Sequence, residues 1–408
     1  MDFQLRTLHD DDMEAWGFVD AVAFGSYPPD GWEESERSLM PMDRTLGTFD
    51  RGRLVGATAS YPFEMTVPGG ASVAVAGVTA VAVMPTHRRR GILTEMMRIQ
   101  LDEVASRGEP VAILNASESV IYPRYGYGLA SLDQSLSVDA TRSAFGRVPG
   151  AEGETWIVPK AEAAPLVAAA WDRCLPYTPG EVGRTESWWE MMLDDAVTWK
   201  GGGKWFVAVH QDAVGAADGY ALYTVEQKGM PGHWVLSVRE LIAAEPGVRA
   251  ALWRQLLDTD LVGTVAMAGA PIDEPLRWWF RDSRQAMVTA VHDFLWVRPV
   301  DVEVFLSARV FGGGEALVVE VSDPFRPQTD GCYRIEPAGA AAGRCERTDD
   351  EPDLAMDVGE LGSLSLGGVA TPTFLARVGR ITELRPAALG VADRLFGWPV
   401  APFCATRF

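Results

Sequence analysis

Apolar and polar positions change period several times in the first third of the chain. Alternation predicts a short strand over Phe3 to Leu8, and helical spacing follows from Asp12 to Phe24. Strands are expected near Leu46 to Phe49 and Leu54 to Tyr61, then over Phe63 to Val67, with a Pro-Gly-Gly turn at 68–70 and a long strand from Ala71 to Val83. After Pro85, residues Ile92, Leu93, Met96, Met97, Ile99 and Leu101 to Val104 recur at helical spacing until Gly108, a natural stop. Val111 to Leu114 reads as a short buried strand and Leu129 to Val138 as another. The stretch Arg147 to Glu154 reads as a linker, so an α/β domain closes near residue 148.

The middle third repeats this mixture. Helices are expected at Glu162 to Trp171, Glu186 to Leu193, Gly247 to Leu257 and Glu274 to Asp282. Strands fall at Trp205 to His210, Gly219 to Glu226, Trp234 to Leu241, Val262 to Ala268 and Met287 to Val297. The order resembles the first domain but contains no glycine-rich phosphate loop, so this part reads as a structural relative without its own cofactor. From Pro299 a helix over Val302 to Ala308 precedes strands near Ala316 to Val321, Gly331 to Ile335 and Leu354 to Val358. A last helix, Pro386 to Phe396, leads into a tail that is unusually apolar for a chain end.

Composition narrows the partners. The 408 residues suggest two or three domains, and 47% hydrophobic with 23% charged residues is ordinary for compact proteins. A formal charge of −20 argues against nucleic acid or an anionic membrane and suits a cationic small substrate. Cys174, Cys332, Cys345 and Cys404 form no CxxC pair and have no histidine at ligand spacing, so free thiols and no metal are expected. The opening residues lack a basic segment followed by an apolar run, and no stretch of about 18 uncharged apolar residues occurs. A cytoplasmic location follows as an expectation.

The sharpest local signal is Val81-Ala-Val-Met-Pro-Thr-His-Arg-Arg-Arg-Gly-Ile-Leu-Thr94: a strand ends, a basic turn follows and a helix begins. The first amides of a helix have no internal partner and carry partial positive charge, so a pyrophosphate placed there accepts several hydrogen bonds. Gly91 permits close backbone approach, and Arg88 to Arg90 add charge. An arginine triplet alone reads as a solvated helix cap. Its place after an apolar strand in an acidic chain points to an anion site instead.

Arg88-x-x-Gly91-x-Leu93 resembles the Arg/Gln-x-x-Gly-x-Gly/Ala loop of the GNAT N-acetyltransferases, departing at Leu93. The longer block Pro85 to Leu93, with Ala116-Ser-Glu118, Ile121-Tyr-x-Arg-Tyr-Gly-Tyr-Gly128 and a terminal aromatic, looks like the Eis family over the whole chain. The resemblance implies an α/β and α+β architecture: a cofactor-binding GNAT domain at 1–148, a second GNAT-like domain at 149–298 and a sterol-carrier-like domain at 299–408. It also implies a homohexamer and acetyl-CoA as co-substrate. Val81, Ala82 and Val83 would face the pantetheine arm, and Arg89, Arg90, Gly91, Ile92, Leu93 and Thr94 would bind pyrophosphate. Ser117 and Glu118 would lie against the cofactor. Tyr122 matches the family's general acid and Phe408 the residue whose carboxylate is its base.

The chemistry makes sense of these types. Acyl transfer from a thioester needs a deprotonated amine and leaves a thiolate that must be protonated. A tyrosine, with a pKa of about 10, still holds its proton at neutral pH. On sequence alone Tyr122, Tyr125 and Tyr127 compete for the role or pack beside a glycine-rich turn; the resemblance singles out Tyr122. A free terminal carboxyl is a poor base in water, but docking of the apolar tail would raise its basicity. His87 beside the arginines reads as loop structure, and Asp10 to Asp12 as a helix-start cluster. Phe24, Ser26, Trp32 and Arg37 fall in the family's acceptor-pocket region, where amphipathic packing is the other reading. Ser26 in the family's pocket-forming segment, and Arg407 just before the terminus where an acidic residue can occur, weaken the case for a highly cationic drug as acceptor. The candidate acceptors are thus an aminoglycoside, a polyamine, an arylalkylamine or a lysine side chain. A competing class is a non-catalytic acyl-CoA or lipid-binding protein.

Overall fold

The computed structural model describes residues 3–28, 30–194, 204–228 and 233–408. These divide into two compact units: Met1–Ala130 with Leu295–Pro399 and Arg407–Phe408, and Ser131–Phe294 with Val400–Thr406. The first begins with β1 (Gln4–Arg6), α1 (Met13–Ala23), α2 (Trp32–Leu39), β2 (Thr45–Asp50), β3 (Arg53–Thr66) and β4 (Ser72–Val83). It continues with α3 (Ile92–Ser106), β5 (Val111–Asn115) and β6 (Gly128–Leu129). The sequence splits β3 at Pro62, but the strand runs through it, with Pro62 opposite Ala76 in an antiparallel ladder. The Pro-Gly-Gly turn closes this hairpin, Val67 and Ala71 bonding across it at 2.9 Å.

α3 buries Ile92, Met96, Met97, Leu101 and Val104. Met97, Leu101 and Val104 pack on Ala76, Val78, Ala112 and Leu114 of β4 and β5, each contributing about 1.5–3 kcal/mol if fully withdrawn from water. Gln100 on the same face is also buried, and its amide is satisfied, donating to Ala59 O at 3.1 Å and accepting from Thr58 Oγ1 at 3.2 Å. The helix is thereby fixed with its N-terminus at the end of β4.

The second unit holds β7 (Leu132–Asp139), β8 (Glu154–Val158), α4 (Lys160–Cys174), α5 (Glu186–Leu193), β9 (Phe206–Gln211) and β10 (Ala217–Gln227). It also holds β11 (Trp234–Ala243), α6 (Pro246–Leu257), β12 (Val262–Pro271), α7 (Leu276–Trp279) and β13 (Ala286–Asp293). Its sheet has the order β13-β7-β12-β11-β10-β9-β8. Leu136, Val138, Leu236, Val265 and Met267 of that sheet form one core with Trp253 and Leu256 of α6. The helix expected over Glu274 to Asp282 is only one turn, because Phe280 takes extended backbone. The strand expected over Leu129 to Val138 is divided, β6 belonging to the first unit and β7 to the second.

The chain then returns to the first unit with β14 (Leu295–Pro299), α8 (Val302–Ser307), β15 (Leu317–Ser322), β16 (Gly331–Ala338), β17 (Ala341–Arg347) and β18 (Leu354–Asp357). α9 (Val358–Ser365), α10 (Pro372–Arg377), β19 (Ile381–Glu383) and α11 (Ala388–Phe396) complete it. The expected strand Met287 to Val297 breaks at Phe294, so β13 and β14 join different sheets. Among the described residues the first unit has two sheets, ordered β1-β2-β3-β4-β5-β14-β6 and β17-β16-β15-β18-β19.

Candidate active site

Two irregularities in the first sheet open a cleft. The ladder of β3 and β4 slips between Ala57 and Ala59, so Ala57 faces Ala82 while Ala59 faces Thr79, and Ala80 takes a φ of 49°. Such a bulge re-aims backbone groups next to the ladder. The parallel pairing of β4 with β5 spans only Val75–Gly77 and Val111–Ile113, and β4 runs on to Val83 supported by β3.

At the end of β4 a short turn over Pro85–His87 leads to Gly91, the N-cap of α3, with a φ of 82°. Glu95 N to Gly91 O, 3.1 Å, is the first bond of the helix, so the amides of Ile92, Leu93 and Thr94 precede any intrahelical partner. A methyl on Gly91 would meet nothing within 4 Å. Its left-handed φ is what demands glycine, and the open space beyond admits a bulky group. Arg89 and Arg90 are exposed at this turn. Arg88 instead reaches Val83 O at 3.4 Å and Ala23 O at 3.2 Å. His87 is tied to Asp50 (3.2 Å) and Thr86 (2.8 Å) and also lines the cleft described next.

The cleft measures about 640 Å³. Its wall includes Val81, Val83, Arg89, Gly91, Ile92, Leu93, Thr94, Ser117, Glu118 and Tyr122, all named from sequence, and Phe24 from the acceptor group. Ala82 is buried and, like Arg90, is not part of that wall. Neither are the other acceptor candidates. Ser26 donates to Ala21 O at 3.2 Å, Trp32 is buried edge-on against Trp16, and Arg37 lies near Asp10 (3.7 Å) and Glu33 (3.9 Å) on the surface. Val120, Ile121 and Arg124 also line the cleft. Ile121 and Arg124 belong to the Ile121 to Gly128 block that carries the resemblance, whereas nothing in the sequence marks Val120.

Tyr122 begins a one-turn helix over Tyr122–Tyr125 and is 5% exposed. Burial, then Tyr125 and Glu118, pushes its hydroxyl up to about 12. Tyr125, a competitor for the role on sequence alone, also faces the cleft, its hydroxyl 3.4 Å from Thr94 Oγ1. Tyr127 packs on Tyr122 with ring centroids 5.9 Å apart. Phe408 is held at the end of β5: its amide donates to Asn115 Oδ1 at 3.2 Å and its ring stands edge-on to Phe63 at 5.2 Å. Asn115 was not singled out from sequence, although it immediately precedes Ala116-Ser-Glu118.

The splayed parallel strands, the bulge and the open helix N-terminus define a GNAT-type acyltransferase domain. Family models agree: acetyltransferase (GNAT) domains match residues 4–130 and 180–299, and a sterol carrier protein domain matches residues 302–405. An uncharacterized N-acetyltransferase of Streptomyces coelicolor is 38% identical, with 100% of both chains covered. The N-acetyltransferase Eis of Mycobacterium tuberculosis is 31% identical over 90% of each chain. The crystal structure of Eis1 from Mycobacterium abscessus superposes with a TM-score of 0.88 at 34% identity, covering 100% of both chains. The chain belongs to the Eis family of N-acetyltransferases. No helix among the described residues is long and apolar enough to cross a membrane.

Proposed function

We propose that the protein transfers the acetyl group of acetyl-CoA to an amine, with Tyr122 as general acid and the carboxylate of Phe408 as general base. The observation that carries this reading is Tyr122 itself. Its side chain is buried in the wall of the cleft, keeps its proton at neutral pH as an ordinary tyrosine does, and shares that wall with the first turn of α3. Acetyl-CoA fits the residues present: the first amides of α3 and Arg89 would hold its pyrophosphate, and Val81 and Val83 would flank its thioester arm. Acetyl-CoA supplies the activated acyl group. The acceptor's ammonium gives one proton to the Phe408 carboxylate, which passes it on to solvent; the freed amine attacks the thioester carbonyl, Tyr122 protonates the departing sulfur as the C–S bond breaks, and the second proton lost from nitrogen restores the Tyr122 hydroxyl.

The acceptor is a small amine or a lysine side chain, in keeping with the chain's charge of −20, and the working assembly is a homohexamer in the cytoplasm. The test is release of free thiol from acetyl-CoA against polyamines, aminoglycosides, arylalkylamines and lysine peptides. At least one class should give turnover, and Tyr122→Phe should lower it by about 10²–10⁴ with acetyl-CoA affinity retained. Acetyl-CoA binding without turnover on any class would favour a carrier. Undiminished turnover by Tyr122→Phe would move the acid elsewhere.

A further inference from the structure

The turn that carries Tyr122 rests on the part of the first unit that matches the sterol carrier domain. Arg298 of β14 lies beneath the turn with its side chain fully buried. Its Nε donates to Tyr125 O at 2.7 Å, Nη1 to Pro299 O at 2.6 Å and Nη2 to Asp323 Oδ2 at 2.6 Å. Asp323, just past β15, is itself fixed. Its second carboxylate oxygen accepts from Arg326 N at 3.0 Å, and its own amide donates to the Asp330 carboxylate. Two residues on, the Phe325 ring meets Tyr125 edge-on at 5.0 Å.

The glycines of Tyr125-Gly-Tyr-Gly128 mark where these pieces press together. A methyl on Gly126 would come within 2.8 Å of both Arg298 Nε and Val358 Cγ1, and one on Gly128 within 1.7 Å of Gly359 O. α9 therefore seats directly on the backbone that follows Tyr122. A buried ion pair alone would be ordinary core architecture, since burying charge is as often neutral as stabilising. Here, however, one guanidinium fork joins the carbonyl of the turn to a carboxylate on the other sheet's loop, a span that a single ammonium cannot make.

We propose that Arg298 and Asp323 are positioning residues for acetyl transfer, holding the Tyr122 turn so that its hydroxyl meets the departing sulfur. The inference rests on Tyr122 being the acid. A proton donor must come within about 2.6–3.2 Å of its acceptor, and a misplacement of about 1 Å can cost about a hundredfold in rate.

Arg298→Lys and the isosteric Asp323→Asn are each combined with Tyr122→Phe, and kcat, the KM for acetyl-CoA and the melting profile are read for all variants. Asp323→Asn is the milder change and serves if Arg298→Lys does not fold. Each single change should lower kcat about tenfold or more while KM for acetyl-CoA stays within about twofold. Adding either to Tyr122→Phe should cost little more, because the positioned hydroxyl is already gone. Folded single variants with wild-type kcat, or losses that multiply with that of Tyr122→Phe, would overturn the inference while leaving the acid in place. Wild-type turnover by Tyr122→Phe alone would remove the acid and this inference together.

Discussion

Glu181 concentrates several effects in one side chain of the second unit. It is 3% exposed, accepts from Ala405 N at 2.7 Å and Thr406 Oγ1 at 3.1 Å, and meets Cys404 Sγ at 3.5 Å. Arg184 completes the clamp, donating to Thr406 Oγ1 at 3.0 Å and bidentately to Glu240 at 2.9 and 2.8 Å, with Trp171 below its guanidinium at 3.5 Å. Burial raises the Glu181 carboxyl from an ordinary 4.5 to about 7, with Arg184 opposing and Glu240 assisting the rise. A carboxyl raised on folding favours the folded state fully only below the unfolded value. That contribution, about 3 kcal/mol for a shift of this size, is lost as pH climbs from about 4.5 through about 7. Glu181→Gln removes the titration and keeps one of the two acceptor oxygens. The wild type should thus lose thermal stability relative to the variant between pH 5 and 8, and parallel melting curves across that range would refute the assignment.

At the scale of elements, the N-terminus of α3 is the part of the cleft whose geometry follows most directly from local sequence. The glycine at the cap, the arginines before it and the apolar period after it each require what is seen. Replacing Arg89 and Gly91 together by alanine should weaken acetyl-CoA binding at least about tenfold, through lost charge and a strained left-handed cap; calorimetry giving wild-type affinity in a folded variant would contradict this. The α3 helix and the β4 strand were legible because their signals are local, whereas only the family resemblance set Tyr122 apart from Tyr125 and Tyr127. Strand partners were not. β7 and β14 have ordinary strand patterns, and only long-range pairing assigns β7 to the second sheet and β14 to the first. The acceptor candidates Trp32 and Arg37 sit on an amphipathic helix whose apolar face reads identically for a pocket or a core. Trp32 packs on Trp16 at 5.4 Å.

At the scale of the whole molecule, the end of the chain serves both units: Val400–Thr406 belongs to the second and Arg407–Phe408 to the first. The apolar tail is therefore ordered to its last residue, with Phe403 N on Pro179 O at 2.9 Å and Phe408 N on Asn115 Oδ1 at 3.2 Å. If the terminal carboxylate is the base, its position matters more than the ring. One added glycine carries the charge up to about 3.6 Å along an extended chain, beyond the roughly 3.2 Å within which a base must reach its proton. Extension by one glycine should abolish turnover and leave the protein folded, with the Asn115 bond and the contact with Phe63 at 5.2 Å in place. Phe408→Leu, which keeps the terminal charge and most of the apolar anchor, should retain appreciable activity. Deleting Phe408 leaves Arg407 terminal, draws the carboxylate back and removes the Asn115 bond, so that variant should be folded and inactive. Thiol release measured beside melting temperatures separates the cases: full turnover by the extended and shortened chains, both melting near wild type, would leave the tail a purely structural strap.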